Sequence, residues 1–211
     1  MRRATIVLML AALARTAAAA ASFDERPEVK SFIGELVERH GFDAAKLGRV
    51  FARAQRLDAP LQLILPAERP SWQDYRGQFL NEQRIVRGVA FWKVNRKVLA
   101  RAERKYGVPA QYVVAIIGVE TYYGRHMGKY RVIDALATLA FDYPPRASFF
   151  RGELEQYLLL ARESRVDVFA LQGSYAGAIG IPQFMPGSVR RYAVDFDGDG
   201  AIDLRRSSAD A

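Results

Sequence analysis

The run QYVVAIIGVE, from Gln111 to Glu120, constrains this chain more than any other segment. Gly107 and Pro109 stand just before it, one residue suited to ending a helix and the other to starting the next. A segment so uniformly apolar at helical length should be covered on nearly every side, which places it inside the core of an α-helical fold. Its last residue is nonetheless a carboxylate. An ionised Glu120 would be costly to bury, so a desolvated position would raise its pKa and keep a proton available near neutral pH, as a general acid requires. A helix-end glutamate facing solvent, or one held in an ion pair, fits the same local pattern equally well.

The remaining apolar spacing is helical too. Val29, Phe32, Ile33, Leu36 and Val37 recur on one face between Glu28 and His40, with Gly41 as a stop. A second helix after Asp43 puts Leu47, Val50, Phe51 and Ala54 together. The three prolines of LDAPLQLILPAERP read as a break, near Pro66 to Ser71, between an N-terminal helical lobe (22–70) and a larger domain (71–211). A long helix is expected from Glu82 to Tyr106, with Ile85, Val86, Val89, Trp92, Leu99 and Ala102 inward. Others fit Val132 to Phe141 and Ala147 to Arg162, the latter with Phe150, Leu154, Tyr157, Leu158 and Ala161 along one side. No set of segments alternates as strands, and no solenoid repeat is present.

With 211 residues, half of them hydrophobic and about a quarter charged, the chain can bury one sizeable core. Arg2 and Arg3, an apolar run from Ile6 to Ala14 and an alanine-rich stretch to Ala21 have the order of a secretory signal peptide, 1–21, too short to span a membrane. With no cysteine, neither a disulfide nor a lipidated anchor can form. The expectation is a soluble periplasmic protein without a stable membrane anchor. Loss of Arg2, Arg3 and Arg15 with the leader lowers the formal charge from +8 to +5. That balance suits a polyanion or an acidic surface, such as wall polymers or phospholipid, and equally a solvated basic face; no nucleic-acid-binding motif accompanies it.

Two further segments bear on chemistry. Thr121, Tyr122, Tyr123 and Gly124 follow Glu120, and GSYAGAIGIPQFMPGS runs from Gly173 to Ser188. Its small residues let backbone approach a ligand closely, while Ser174, Tyr175 and Gln183 offer a hydroxyl, a stacking ring and an amide of the kind a sugar site uses. A glycine-rich packing loop would look the same. IIGVETYYGRHMG, GSYAGAIGIPQFMPGS and the following AVDFDGDG, in that order, resemble the lytic murein transglycosylase B family over most of the chain from Asp24 onward.

The resemblance implies a mainly α fold with a lysozyme-like catalytic core over 71–211, acting on peptidoglycan glycan strands. It implies cleavage of the β-1,4 bond between N-acetylmuramic acid and N-acetylglucosamine with formation of 1,6-anhydro ends, and no cofactor for catalysis. Glu120 would be the single acid/base, with no partner carboxylate from Asp134 or Asp142; Asp142 is read as capping a turn before Pro144. Ser174 would bond near the muramyl N-acetyl group, and Gln183 and Tyr75 in WQDYRGQF would contact sugar, beside the Tyr175 ring already read from its residue type. Family members often carry two consecutive arginines after the Tyr-Pro pair, whereas this chain has Pro145 then Arg146. Contact with the peptide stem's carboxylates would rest on Arg146 alone.

Asp195, Asp197, Asp199 and Gly200 match the first half of an EF-hand loop, with the Ala201 carbonyl, Ile202 and Asp203 in register behind them. Arg206 falls where a bidentate Glu is normal. The resemblance implies a lengthened loop, 195–210, closed by Asp210 around a structural Ca2+; Na+ and Mg2+ suit the same oxygen donors. It also implies further helix after such a loop, so the C-terminus at Ala211 is read as a truncation. Two other readings remain at this point: a non-catalytic peptidoglycan-binding protein with the same fold, and a calcium-dependent interaction module.

Overall fold

The computed structural model describes residues 22–65 and 70–211, so the expected leader, 1–21, and much of the lobe boundary, 66–69, lie outside the described residues. A 3-10 turn, Phe23–Glu25, leads into α1 (Pro27–His40), which Gly41 closes with φ 63° where the sequence places its stop. Asp43 caps α2 (Ala44–Arg53), accepting a hydrogen bond from the Lys46 N–H at 2.8 Å. The proline-rich stretch that follows is not a plain break. Asp58–Leu63 forms a short helix, α3, and Pro60 sits in its first turn, where a missing N–H costs no helical hydrogen bond.

Ser71 and Asn81 cap the next two helices, α4 (Trp72–Phe79) and α5 (Glu82–Tyr106), and Gly107 ends α5 at φ 73°. Then come α6 (Ala110–Thr121), α7 (Val132–Asp142), α8 (Ala147–Glu163) and α9 (Pro186–Tyr192). Two short strands, β1 (Tyr130–Arg131) and β2 (Gln172–Gly173), pair antiparallel with Tyr130 opposite Gly173. Among the described residues no helix is long and apolar enough to cross a membrane.

The core is built around α7. Every residue from Val132 to Ala140 is buried, against Phe150, Leu154, Tyr157 and Leu158 of α8 on one side. On the other, Phe23, Phe32 and Phe51 surround the Phe141 ring at centroid distances of 6.1, 5.8 and 6.3 Å. One hydrophobic core therefore joins the N-terminal helices to α7 and α8, each fully buried large side chain contributing about 1.5–3 kcal/mol.

Buried polar groups of α7 hold the chain between α2 and α3 in place. The Gln55 N–H donates to Asp134 at 2.9 Å, and the Leu57 N–H donates to Thr138 Oγ1 at 3.0 Å. Asp134 also accepts from Arg131 Nε at 2.6 Å and is only 2% exposed. Asp142, expected to cap a turn, instead pairs with Arg26 at 2.8 Å and Arg56 at 3.1 Å, because α7 continues through it and points its carboxylate at the N-terminal segment.

The α5–α6 pair departs from the sequence reading. Leu99, Ala110 and Val114 form a small second core with Phe91, Val113 and Tyr123 around them. Ile85, Val86, Val89 and Trp92, expected inward, are exposed, because α6 packs beside a different strip of α5. The apolar run of α6 is likewise covered on one face only: Ala110, Val114, Ile117, Gly118 and Thr121 are buried, while Tyr112, Ile116 and Val119 face outward.

Replacing Asp134 with Ala would leave the Gln55 N–H without its acceptor and the Arg131 guanidinium without its carboxylate. The expected loss is about 3 kcal/mol in urea unfolding. Asp134→Asn, which keeps an acceptor for Gln55, should lose less; equal stability of Asp134→Ala and parent would contradict this role.

Candidate active site

Glu120 occupies the last turn of α6 and is exposed, so of the desolvated and solvent-facing positions its sequence leaves open, the solvent-facing one is found. The reason lies in the helix's surroundings: Ile116 is 57% and Val119 46% exposed, leaving Glu120 on the edge of an uncovered face. Its neighbour Thr121 is the buried one, at 0% exposure. Thr121 Oγ1 donates to the Ile181 carbonyl at 2.8 Å and accepts from the Gly124 N–H at 2.9 Å. A single hydroxyl thus ties the end of α6 to the glycine-rich segment and shapes the turn that follows.

That turn is unusual backbone. Tyr122 and Tyr123 both have left-handed φ, 53° and 60°, a conformation that non-glycine residues seldom adopt. The freed carbonyls at the helix end are satisfied: Tyr122 N–H donates to Gly118, Tyr123 N–H to Ile117, and Arg125 and His126 N–H groups both to Thr121. From there the chain runs to β1, whose pairing with β2 brings residues 172–184 alongside. Gly128 and Gly173 permit this approach. A Cβ on Gly128, at φ 85°, would lie 1.9 Å from the Gly173 carbonyl oxygen.

Within the glycine-rich segment, Ser174 Oγ accepts from the Ala176 and Ala178 N–H groups at 3.3 and 3.0 Å, which folds the loop and leaves its O–H free to donate outward. Ile179 and Phe184 exchange backbone hydrogen bonds across a tight turn. Gln183 sits in that turn at φ 52°; its amide donates to Gly180 O at 2.8 Å and to Met127 O at 3.4 Å, so its oxygen stays available. Tyr175 is half-buried beside Ser174.

Glu120, Ser174, Tyr175 and Gln183 thus lie on segments that are bonded to one another. Tyr75 is exposed on α4, stacked on Trp72 at 6.0 Å and 5.1 Å from the Phe79 ring. Phe79 lies under the Arg84 guanidinium, which bonds to the end of α6. Arg146 stands in a 3-10 turn, Pro144–Arg146, with its guanidinium over the Phe149 ring at 4.4 Å, and no hydrogen bond joins it to the Glu120 segment.

In the acidic loop, oxygens of Asp195, Asp197 and Asp210 lie within 4.8 Å of one another. Asp195 accepts from the Gly200, Gly198 and Asp199 N–H groups, and these hold its carboxyl below the ordinary value against a smaller opposing effect of burial. Asp210 accepts from Phe196 and Asp203 N–H groups, which sew the end of the loop to its start. Three carboxylate donors fit a hard cation such as Ca2+. Asp199 and Asp203 are not brought into that group. The Asp199 side chain accepts from Ala201 N–H at 2.9 Å, and Asp203 is engaged by the Arg206 guanidinium at 2.7 Å. Ala201 lies between them, exposed.

Sequence reasoning did not single out Thr121 or Arg84. A hydroxyl closing an otherwise apolar run was a usable signal for the first; the second is one of many arginines on α5.

The helical core thus sets a glutamate at the end of an apolar helix, with a glycine-rich loop bonded to the residue after it. Residues 24–211 match the family described as Transglycosylase SLT domain, and the chain belongs to that family. It is 46% identical over 193 residues to the membrane-bound lytic murein transglycosylase B of Escherichia coli K12, covering 86% of this chain and 54% of that protein. The soluble lytic transglycosylase SltB1 of Pseudomonas aeruginosa superposes with TM-score 0.84 at 54% identity, over 87% of this chain and 63% of that one. Escherichia coli Slt35 in complex with calcium gives TM-score 0.82 at 47% identity, over 87% and 59%. The chain thus spans about half the length of the curated relative.

Thr121→Val keeps the shape of the side chain but removes both hydrogen bonds. It should destabilise the protein by about 2 kcal/mol in chemical denaturation, with Thr121→Ser close to parent. A Val variant as stable as parent would mean the hydroxyl does not hold the two segments together.

Proposed function

We propose that this chain is a peptidoglycan lytic transglycosylase that uses Glu120 as its only acid/base. The observation that carries this reading is the position of Glu120: last turn of α6, next to the Thr121 hydroxyl bonded to the segment holding Ser174 and Gln183, in a chain of the transglycosylase family. Glu120 as the acid gives its proton to the glycosidic oxygen, and the bond to C1 of N-acetylmuramic acid breaks. The resulting carboxylate takes the proton of the muramyl C6 hydroxyl as that oxygen bonds to C1, giving a 1,6-anhydro end. The proton ledger closes on one carboxyl, and no water is consumed.

An exposed acid suits this scheme if the substrate covers it. A glycan strand laid over the end of α6, against Val119 and Ile116, would exclude water from the Glu120 carboxyl. Ser174 O–H and the Gln183 oxygen would bond to the sugar beside it, with Tyr175 stacking on a ring and Tyr75 on another from α4. Arg146 lies apart from this group and would meet a peptide stem rather than the sugar. The site of action that fits a wall-cleaving enzyme is the periplasm, with 1–21 as its leader and 71–211 as the catalytic part.

Asp195, Asp197 and Asp210 would hold a structural Ca2+, in keeping with the Slt35 calcium complex. Calcium at a hundredfold excess over its Kd should raise the Tm by on the order of 5–10 °C, and Asp195→Asn should abolish the rise. Asp195 has a folded pKa below its ordinary 3.8, so the stability it provides is present above that value and is lost as pH falls through the lower folded one. Protection by calcium should fade over the same acid range; a calcium effect unchanged down to pH 2 would contradict these ligands.

On intact sacculi the parent should release muropeptides lighter by one water than lysozyme products, and Glu120→Gln should slow that release by at least ~100-fold with unchanged Tm. Equal rates would remove Glu120 from its assigned role. Strand binding with no release by the parent would favour the non-catalytic alternative.

A further inference from the structure

The guanidinium of Arg84 is placed where it can act on the proposed acid without touching the substrate. Arg84 lies in the first turns of α5, where the Asn81 side chain accepts its N–H at 3.0 Å. Its Nη1 donates to the Gly118 carbonyl at 2.6 Å, crossing to the last turn of α6 two residues before Glu120. The same carbonyl accepts the Tyr122 N–H, so one oxygen anchors both the helix end and the left-handed turn after it. In return, Tyr123 Oη donates to the Arg84 carbonyl at 3.1 Å. The contact is thus reciprocal: each segment supplies one donor and one acceptor.

Close packing makes this geometry strict. The tip of the Tyr123 ring is wedged between α5 and α6 at two glycines, and a Cβ would lie 2.5 Å from Tyr123 Oη at Gly88 and 2.7 Å from it at Gly118. Above, the Arg84 guanidinium stacks 4.8 Å from the Tyr122 ring and 5.1 Å from the Phe79 ring, which itself meets Tyr75. A cation at the C-terminal end of a helix is also favoured electrostatically, since the last carbonyls carry partial negative charge.

We infer that Arg84 is the positioning residue of the site: its bond to Gly118 fixes the last turn of α6, and so the direction of Glu120. This rests on Glu120 being the acid/base, yet it makes separate demands. Arg84 touches no reacting atom, so its loss lowers the rate of the chemical step rather than strand affinity. A misdirected acid of this kind costs on the order of 10- to 100-fold.

The test combines kinetics with amide exchange on the folded chain. Arg84→Ala should lower kcat on purified glycan strands at least tenfold with KM changed less than twofold. Arg84→Lys, which keeps the charge and one donor, should recover part of the loss. In a Glu120→Gln background, Arg84→Ala should add nothing to the defect. Hydrogen exchange at the Tyr122 and Tyr123 amides should speed up at least tenfold in Arg84→Ala, with the amides of α7 unchanged. An unchanged kcat, a loss confined to KM, or defects that multiply in the double variant would each overturn the proposal, as would unaltered exchange at Tyr122. If the parent and Glu120→Gln act alike on strands, the function reading fails instead, and the exchange measurement still decides whether Arg84 holds the end of α6.

Discussion

The hydrogen bond from the Thr121 hydroxyl to the Ile181 carbonyl is the contact on which the rest of the site depends. It is fully buried, where a hydroxyl without a partner would cost ~1–3 kcal/mol, and it joins two segments sixty residues apart in the chain. On one side of it stands α6 with Glu120, on the other the turn that carries Gln183 and, a few residues back, Ser174. The paired strands β1 and β2 repeat the connection nearby, and Gly128 and Gly173 let the two backbones come close enough for both to form. The site is therefore an intersection of two loops held by backbone and one buried side chain, with the acid itself left free.

That freedom separates this site from an acid set in a dry pocket. Proton chemistry at Glu120 would rely on the polymer to complete its surroundings, and the outward-facing Val119 and Ile116 supply apolar surface for that contact. The turn at Tyr122 and Tyr123, left-handed at two successive residues, is held by many hydrogen bonds, as backbone in a sparsely populated conformation must be. Rigidity thus lies in the backbone, while the carboxyl stays uncovered.

Much of the fold was legible in the sequence. The spacing of Val29, Phe32, Ile33 and Leu36, and of Phe150, Leu154, Tyr157 and Leu158, marks helices whose inward faces are those seen, and Gly41 and Gly107 end their helices as glycines with positive φ. The inward face of α5 was not legible. Ile85, Val86, Val89 and Trp92 fall on an apolar strip, but which strip is covered depends on where α6 crosses, and that is set by Gly88, Gly118 and the Tyr123 ring between them. Local sequence leaves the exposure of Glu120 open for the same reason, since an apolar helix shows its composition but not how many neighbours it has. Asp142 looked like a turn cap because its partners, Arg26 and Arg56, are distant in sequence. The acidic loop was partly readable: spacing picks out Asp195 and Asp197, while the convergence of Asp210 on them depends on hydrogen bonds to Phe196 and Asp203.

The central claim is that one carboxyl serves both halves of an intramolecular transfer, with the muramyl C6 oxygen rather than water arriving at C1. Digestion of glycan strands in water enriched in 18O measures this directly by mass spectrometry of the new ends. The account predicts new ends that carry no 18O and are lighter by one water than hydrolytic ends. Incorporation of one 18O atom per cleavage would show that water attacks C1, and would contradict it.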